Sequence, residues 1–205
     1  KVASGVLISR AVELAILGGL TREEVQDTTD TTLLTLLRAR TYPAHPLGDS
    51  EGVRWIVNRL LDRYEQRRLP KRCFVLSRPG DRGLQDALVR TVIGDQRARL
   101  ALEADIAKAL GVKAAAEVIV YCPRKTMQLK EASVPVRRAG KGIRPLTAYQ
   151  KEFPALRQLV ESYRNLWKLY VFVPGRTPGG MAEAGRKVER ILRRRFDGIR
   201  NEYRP

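Results

Sequence analysis

The change of texture at Pro70 constrains this chain more than any other feature of it. Up to that point every apolar stretch recurs at helical spacing. Beyond it appear short β-branched and aromatic runs of the kind that fill buried strands, "CFVLS" at 73–77, "EVIVYC" at 117–122 and "KLYVFVP" at 168–174. A chain that opens on helices and then alternates strands with helices belongs to the α+β class.

The helical opening is punctuated by residue types that end and begin helices. The first helix is already under way near Lys1, with Val2, Val6, Ile8, Val12 and Ile16 as apolar positions, and it stops at Gly18-Gly19. Thr21 followed by Glu24 has capping-box spacing. A further cap at Thr29 or Asp30 precedes Leu33, Leu34, Leu36 and Leu37. After a loop with Pro43, His45, Pro46 and Gly48, a helix from Asp49 or Ser50 carries Val53, Ile56, Val57, Leu60, Leu61 and Tyr64 on one stripe. The apolar face of the first helix has no evident partner and is expected to pack on another lobe or on a second copy. A start in mid-helix, without a leader, reads as a chain cut from a longer protein.

From residue 73 the expected order is β-α-β-β-α-β and then α. The second strand falls at 117–122, the third at 132–138, and "KLYVFVP" is the last. This order predicts a ferredoxin-like βαββαβ lobe with a C-terminal helix. Gly94 marks a break between two helices, Pro135 puts its strand at a sheet edge, and Pro154 interrupts the helix after residue 146. The expected domains are a helical segment over 1–70 and an α+β lobe over 71–205, with the boundary in "RRLPKR".

Charge follows the same division. Residues 1–70 hold 10 Lys/Arg against 9 Asp/Glu, whereas residues 71–205 hold 29 against 13, so nearly all of the +17 net charge lies in the second part. Such a field favours polyanions or an acidic partner. Hydrophobic residues make up 43% of the chain, enough for a core, and no apolar run is long enough for a bilayer span. No membrane partner is expected.

Counting removes most catalytic chemistry. With His45 the only histidine, this chain by itself holds no His-rich metal site and no HExxH helix. Cys73 and Cys122 read as buried thiols of a cytoplasmic protein. The loop "VPGRTPGGM" has glycines at P-loop spacing, Gly175 and Gly180, but Met181-Ala182 replace the Lys-Ser/Thr that would grip phosphate and magnesium. Turn geometry is the simpler reading of those glycines. "VRRAGKGIRP" at 136–145 is a basic hairpin or loop in which Arg137, Arg138 and Lys141 are candidate phosphate contacts. Arg190, Arg193, Arg194 and Arg195 form a cationic end to the last helix. Tyr170 and Phe172 share a strand face, where they either stack nucleic-acid bases or pack in the core.

The opening residues "AVELAILGGL", "LTREEV" and "TDTTLLTLL", together with Lys1-Val2, resemble the region that follows the metal site in HD-domain phosphohydrolases of the dNTP triphosphohydrolase type. Arg67, Leu69 and Lys71 match an R-x-L-x-K element of that family. The resemblance implies a parent enzyme that hydrolyses a nucleotide phosphate bond with divalent metal. The metal ligands of that family, a histidine, a His-Asp pair and an aspartate, would lie upstream, so no catalytic residue, metal ligand or cofactor is assigned here. This chain alone is expected to be inactive, and to serve regulation or assembly. The resemblance also implies that Arg67, and with it Lys71, approaches a nucleotide at a subunit interface. The implied partners are the upstream HD lobe, further copies of the chain in a homo-oligomer, and a nucleotide effector. The alternative is a nucleic-acid-binding α+β module; a third reading is an assembly element that meets an acidic partner.

Overall fold

A computed structural model describes residues 2–42, 50–124, 134–138, 140 and 142–203. Four helices form the opening segment: α1 (Val2–Leu17), α2 (Arg22–Gln26), α3 (Asp30–Ala39) and α4 (Ser50–Glu65). Their ends obey local chemistry. The Glu24 amide donates to Thr21 Oγ1 and the Glu24 carboxylate accepts from the Thr21 amide, a complete capping box. Thr29 caps α3 in the same way through Thr32. Gly18 is required by packing, since a Cβ there would lie 2.8 Å from Tyr42 Cδ1. Tyr42 is buried, and its hydroxyl donates to the Leu37 carbonyl at 2.7 Å. His45 and the loop around it lie outside the described residues.

Val6, Leu7, Ala11 and Leu14 of α1 are buried in one cluster with Leu37 of α3 and Val53, Val57, Leu60 and Leu61 of α4. The face of α1 expected to lack a partner is therefore largely covered within the chain. Val6 is buried, Ile8 and Val12 are partly so, and Val2 and Ile16 alone of that set stay exposed.

The remainder comprises β1 (Lys71–Ser77), α5 (Arg82–Val89), α6 (Gln96–Leu110), β2 (Ile119–Tyr121), β3 (Pro135–Arg138), β4 (Gly142–Pro145), α7 (Pro154–Asn165), β5 (Lys168–Val173) and α8 (Gly180–Arg193). A π-helical turn over Arg90–Gly94 separates α5 from α6, where Gly94 predicts a break. Pro154 is the first residue of α7, a position that needs no amide proton.

The fold is α+β, but the four-stranded ferredoxin-like sheet is not formed among the described residues. The sheet has three strands in the order β1-β5-β2, each pair antiparallel, while β3 and β4 make a separate hairpin. The physical reason lies in composition. Pro135 cannot donate to a ladder, and "PVRR" and "GIRP" offer no apolar face, with Ile143 69% exposed. By contrast "KLYVFV" has apolar residues on both faces and takes the central position.

Both faces of that central strand are used. Leu169, Val171 and Val173 join Cys73, Phe74 and Leu76 under Leu88, Leu102, Ile106, Val188 and Leu192 of the lobe's own helices. A register shift between Arg72 and Phe74 accompanies the entry of two consecutive residues, Cys73 and Phe74, into this core. On the opposite face Phe172 and Ile119 are buried in the cluster of α1, α3 and α4. The free edge of β1 is covered by the C-terminal tail: Asn201 Oδ1 accepts from the Val75 amide at 3.1 Å, Asn201 Nδ2 donates to the Cys73 carbonyl at 3.0 Å, and the Glu202 amide donates to the Val75 carbonyl at 2.8 Å.

A buried ion pair also ties the helical opening to the sheet lobe. Arg10 of α1 and Glu103 of α6 are 2% and 1% exposed and bond to each other, and Glu103 Oε1 also accepts from the Val120 amide at 2.9 Å. Glu13 pairs with both Arg10 and Arg99. Burial pushes the Glu103 carboxyl above the usual carboxylate range, and Arg10, the Val120 amide and Arg99 pull it back.

Candidate functional site

Where α4 ends, the chain must leave a helix and enter β1 within a few residues. It does so through a left-handed residue. The Arg68 amide donates to the Arg63 carbonyl at 2.8 Å and the Arg67 amide to that of Tyr64 at 3.2 Å, closing the last turn, while Arg67 adopts φ 56°. Among the described residues Arg67 is the one non-glycine at positive φ, a conformation that costs an L side chain roughly 1–2 kcal/mol. Glycine is the usual residue at this position of a helix terminus.

Arg67 lines a cleft of about 1040 Å³ at the junction of the helical segment and the sheet lobe. The end of α4 gives one wall, with Arg59, Arg63, Arg67 and Arg68, and Lys71 stands at the start of β1. The turn after α6 contributes Lys113, and the loop between β5 and α8 contributes Gly175 and Arg176. The charges divide into two sets. Arg59 and Arg63 are held by the buried Glu117, at 2.5 and 2.9 Å. Asp62, also on the wall, is engaged by Arg38 at 2.7 Å. For Arg67, Arg68, Lys71, Lys113 and Arg176, all exposed, no carboxylate lies within pairing distance among the described residues. Cations gathered in a concavity without counter-charge repel one another and favour an anion that several can share.

Arg67 and Lys71, the R-x-L-x-K residues, both line this cleft. Arg137 and Arg138 do not join them. Both lie on β3 in the separate hairpin, outside the residues lining the cleft. Arg138 pairs with Glu152 and places its guanidinium 5.6 Å from the Tyr149 ring centroid and 5.7 Å from that of Phe153, contacts that anchor the hairpin to the 146–153 segment. Arg137 is exposed, and Lys141 lies outside the described residues. Sequence reasoning missed Arg68, Lys113 and Arg176. The last two join Arg67 through tertiary packing alone, although Arg176 sits in the loop whose glycines have P-loop spacing.

Two other candidates resolve into structure. The start of α8 is occupied by its own carboxylate: a Cβ on Gly179 would collide with Glu183, which pairs with Lys187 at 2.8 Å. On the sheet, Phe172 is 1% exposed in the core and Tyr170 packs partly buried beside it, with Arg72 5.9 Å above the Tyr170 ring centroid. Cys73 and Cys122 are free, buried thiols, and burial raises each from near 9 to about 12. Among the described residues no three His, Cys, Asp or Glu side chains gather as a metal would need, and no helix is long and apolar enough to cross a membrane.

No curated protein and no solved structure matches the chain. The model of one protein family, described as "HD associated region", matches residues 3–196, nearly the whole length. The chain belongs to that family of HD-associated regions.

Proposed function

We propose that this chain is the regulatory and assembly region of a metal-dependent HD phosphohydrolase acting on nucleotides, and that its junction cleft holds the phosphates of a nucleotide effector. Residues 1–70 would complete the HD lobe and residues 71–205 form the basic lobe beside it. The divalent metal and its ligands would belong to the HD core, so no step of catalysis falls to the residues described here. Membership of the HD-associated family supports the partnership. The observation that carries the effector reading is the gathering of Arg67, Arg68, Lys71, Lys113 and Arg176 around one concavity, none of them paired with a carboxylate among the described residues.

The chemistry follows from the donors. A guanidinium offers planar paired N–H groups to two phosphate oxygens, and an ammonium gives a compact point charge. Arg67 and Arg68 at the helix end, with Lys71 behind them, would take oxygens on one side of a polyphosphate. Lys113 and Arg176 would take those on the other. Such a ligand would bridge α4, the turn after α6 and the β5–α8 loop, and so fix the helical segment against the lobe. This is a physical route from effector binding to assembly in the intact enzyme.

The nucleic-acid alternative receives less support from the sheet, because Phe172 is in the core and Tyr170 is packed beside it. Calorimetric titration with ATP at two ionic strengths tests the reading. Binding that weakens between about 50 and 200 mM salt, and is lost in Arg67→Ala/Lys71→Ala but kept in Arg200→Ala, is the expected result. Equal affinity in the cleft variant and the Arg200→Ala control would refute it.

A further inference from the structure

We propose that the apolar groove beside Trp55 receives the base of the nucleotide whose phosphates lie in the junction cleft. This rests on the reading of the cleft as a phosphate site and adds the recognition of the other end of the ligand.

Trp55 lies on α4 but off the stripe that packs the core. Val53, Val57, Leu60 and Leu61 are buried, whereas Trp55 is 54% exposed. A single exposed aromatic is ordinary on a protein surface. This one borders a groove of about 310 Å³ whose other walls are mostly apolar, Ile56, Leu100, Ala104, Ala114, Ala115 and Ala116, with Lys113 and the Arg10-paired Glu103 as its charged members. Small alanine side chains together with a broad indole give a slot of the size and largely apolar character that suits one flat ring.

The groove and the cleft share a lining residue. Lys113 borders both. Arg59, a cleft residue, sits with its guanidinium 5.1 Å from the Trp55 ring centroid, and Glu117 holds it there. An aromatic-lined slot and a polycationic cleft that share Lys113 fit a ligand with a flat apolar end and a polyanionic end. A purine nucleoside triphosphate has that chemistry. Inorganic polyphosphate would leave the groove unused, and an apolar segment would leave the cations unused. Base stacking on an aromatic tolerates different bases, so this geometry recognises a nucleotide as a class.

Tryptophan fluorescence of the chain reads the proposal directly. The sequence has two tryptophans, and Trp167 is fully buried, so an added ligand reports on Trp55. ATP is expected to quench the exposed fraction of the emission, while tripolyphosphate binds without quenching. Trp55→Ala should weaken ATP by about tenfold, as loss of one base stack does, and leave tripolyphosphate affinity unchanged. Trp55→Phe should keep most of the ATP affinity. ATP binding by the wild type without quenching overturns the base groove, and this arm needs no variant. So does unchanged ATP affinity in Trp55→Ala while tripolyphosphate still binds, a result that leaves the phosphate cleft standing. Failure of the wild type to bind tripolyphosphate overturns both readings.

Discussion

Two groups of cations stand where the helical segment meets the sheet lobe, and they are treated in opposite ways. Arg10 and Arg99 are withdrawn from water and surrounded by Glu13 and Glu103. Arg67, Arg68, Lys71, Lys113 and Arg176 line an open cleft whose two carboxylates, Asp62 and Glu117, are engaged by other arginines, and none of the five is paired among the described residues. The first group has every charge answered within the chain, and its work is to hold α1 against α6. The second group gains nothing for the fold by being gathered. Net charge alone does not distinguish them; burial and counter-charge do.

The comparison breaks most visibly at Arg10. Arg10→Met leaves Glu103 buried without its cation, and loss of one partner from a buried pair costs about 3–5 kcal/mol. Urea denaturation should show that loss, and the double variant Arg10→Met/Glu103→Leu should recover much of it, because it removes both charges together. A single variant as stable as the wild type would mean that the pair carries no structural role.

The buried side of the junction is also sensitive to alkali. Cys73 and Cys122 titrate near 9 when unfolded and near 12 when folded, owing to burial. A folded value raised above the unfolded one means that the native state holds its protons longer. Stability is then fully present below about pH 9 and falls as pH rises toward about 12. Each thiol contributes a slope of roughly 1.4 kcal/mol per pH unit within that window. Burial raises the Tyr42 hydroxyl to about 12 as well, which steepens the same fall. Denaturation midpoints measured from pH 8 upward check this, and a flat profile through pH 10 would contradict it. In the native state both thiols should resist a thiol reagent at pH 8 and react on unfolding.

At the cleft the expected effects shift from stability to binding. Arg67→Ala/Lys71→Ala should leave the urea midpoint close to that of the wild type. Loss of two charge-assisted contacts worth about 1.5–3 kcal/mol each should lower ATP affinity at least about a hundredfold. It should also flatten the dependence of affinity on salt. A variant that loses stability but binds as before would place these residues with Arg10, in the structural group.

How much of this is legible in the sequence depends on the range over which each feature is encoded. Caps are local, so Thr21 with Glu24 and the cap at Thr29 announce their helices, and Gly94 and Pro154 announce interruptions. Arg67 and Lys71 are close in the chain and carried by a family resemblance, so their proximity is legible too. Strand order is not. The apolar run of β5 marks a strand but tells neither that both its faces are buried nor that it lies between β1 and β2, and strand patterning does not separate a sheet strand from the β3–β4 hairpin. The Arg10–Glu103 pair spans 93 positions, and Lys113 and Arg176 come to Arg67 from two other elements. Tail residue Asn201 covers the β1 edge from 126 positions away. None of these leaves a local signature.

The smallest expected effect is the one that best separates a residue kept for the fold from one kept for a ligand. Arg67 occupies a left-handed position at φ 56°, where glycine meets no steric cost. Arg67→Gly relieves that strain and gives back part of the gain as extra chain entropy in the unfolded state, so stability should hold or rise by up to about 1 kcal/mol. Arg67→Ala keeps the strain and should be neutral. Both lose the guanidinium, and both should bind ATP more weakly by the same factor. A strained arginine where glycine would serve the helix end better is the pattern expected of a side chain retained for what it grips. Urea midpoints and ATP affinities for the wild type and the two variants decide the matter together. If Arg67→Gly binds ATP as the wild type does, the cleft's other cations carry the ligand and Arg67 has no part in it. If both variants are less stable than the wild type, the side chain at 67 supports the fold rather than the ligand.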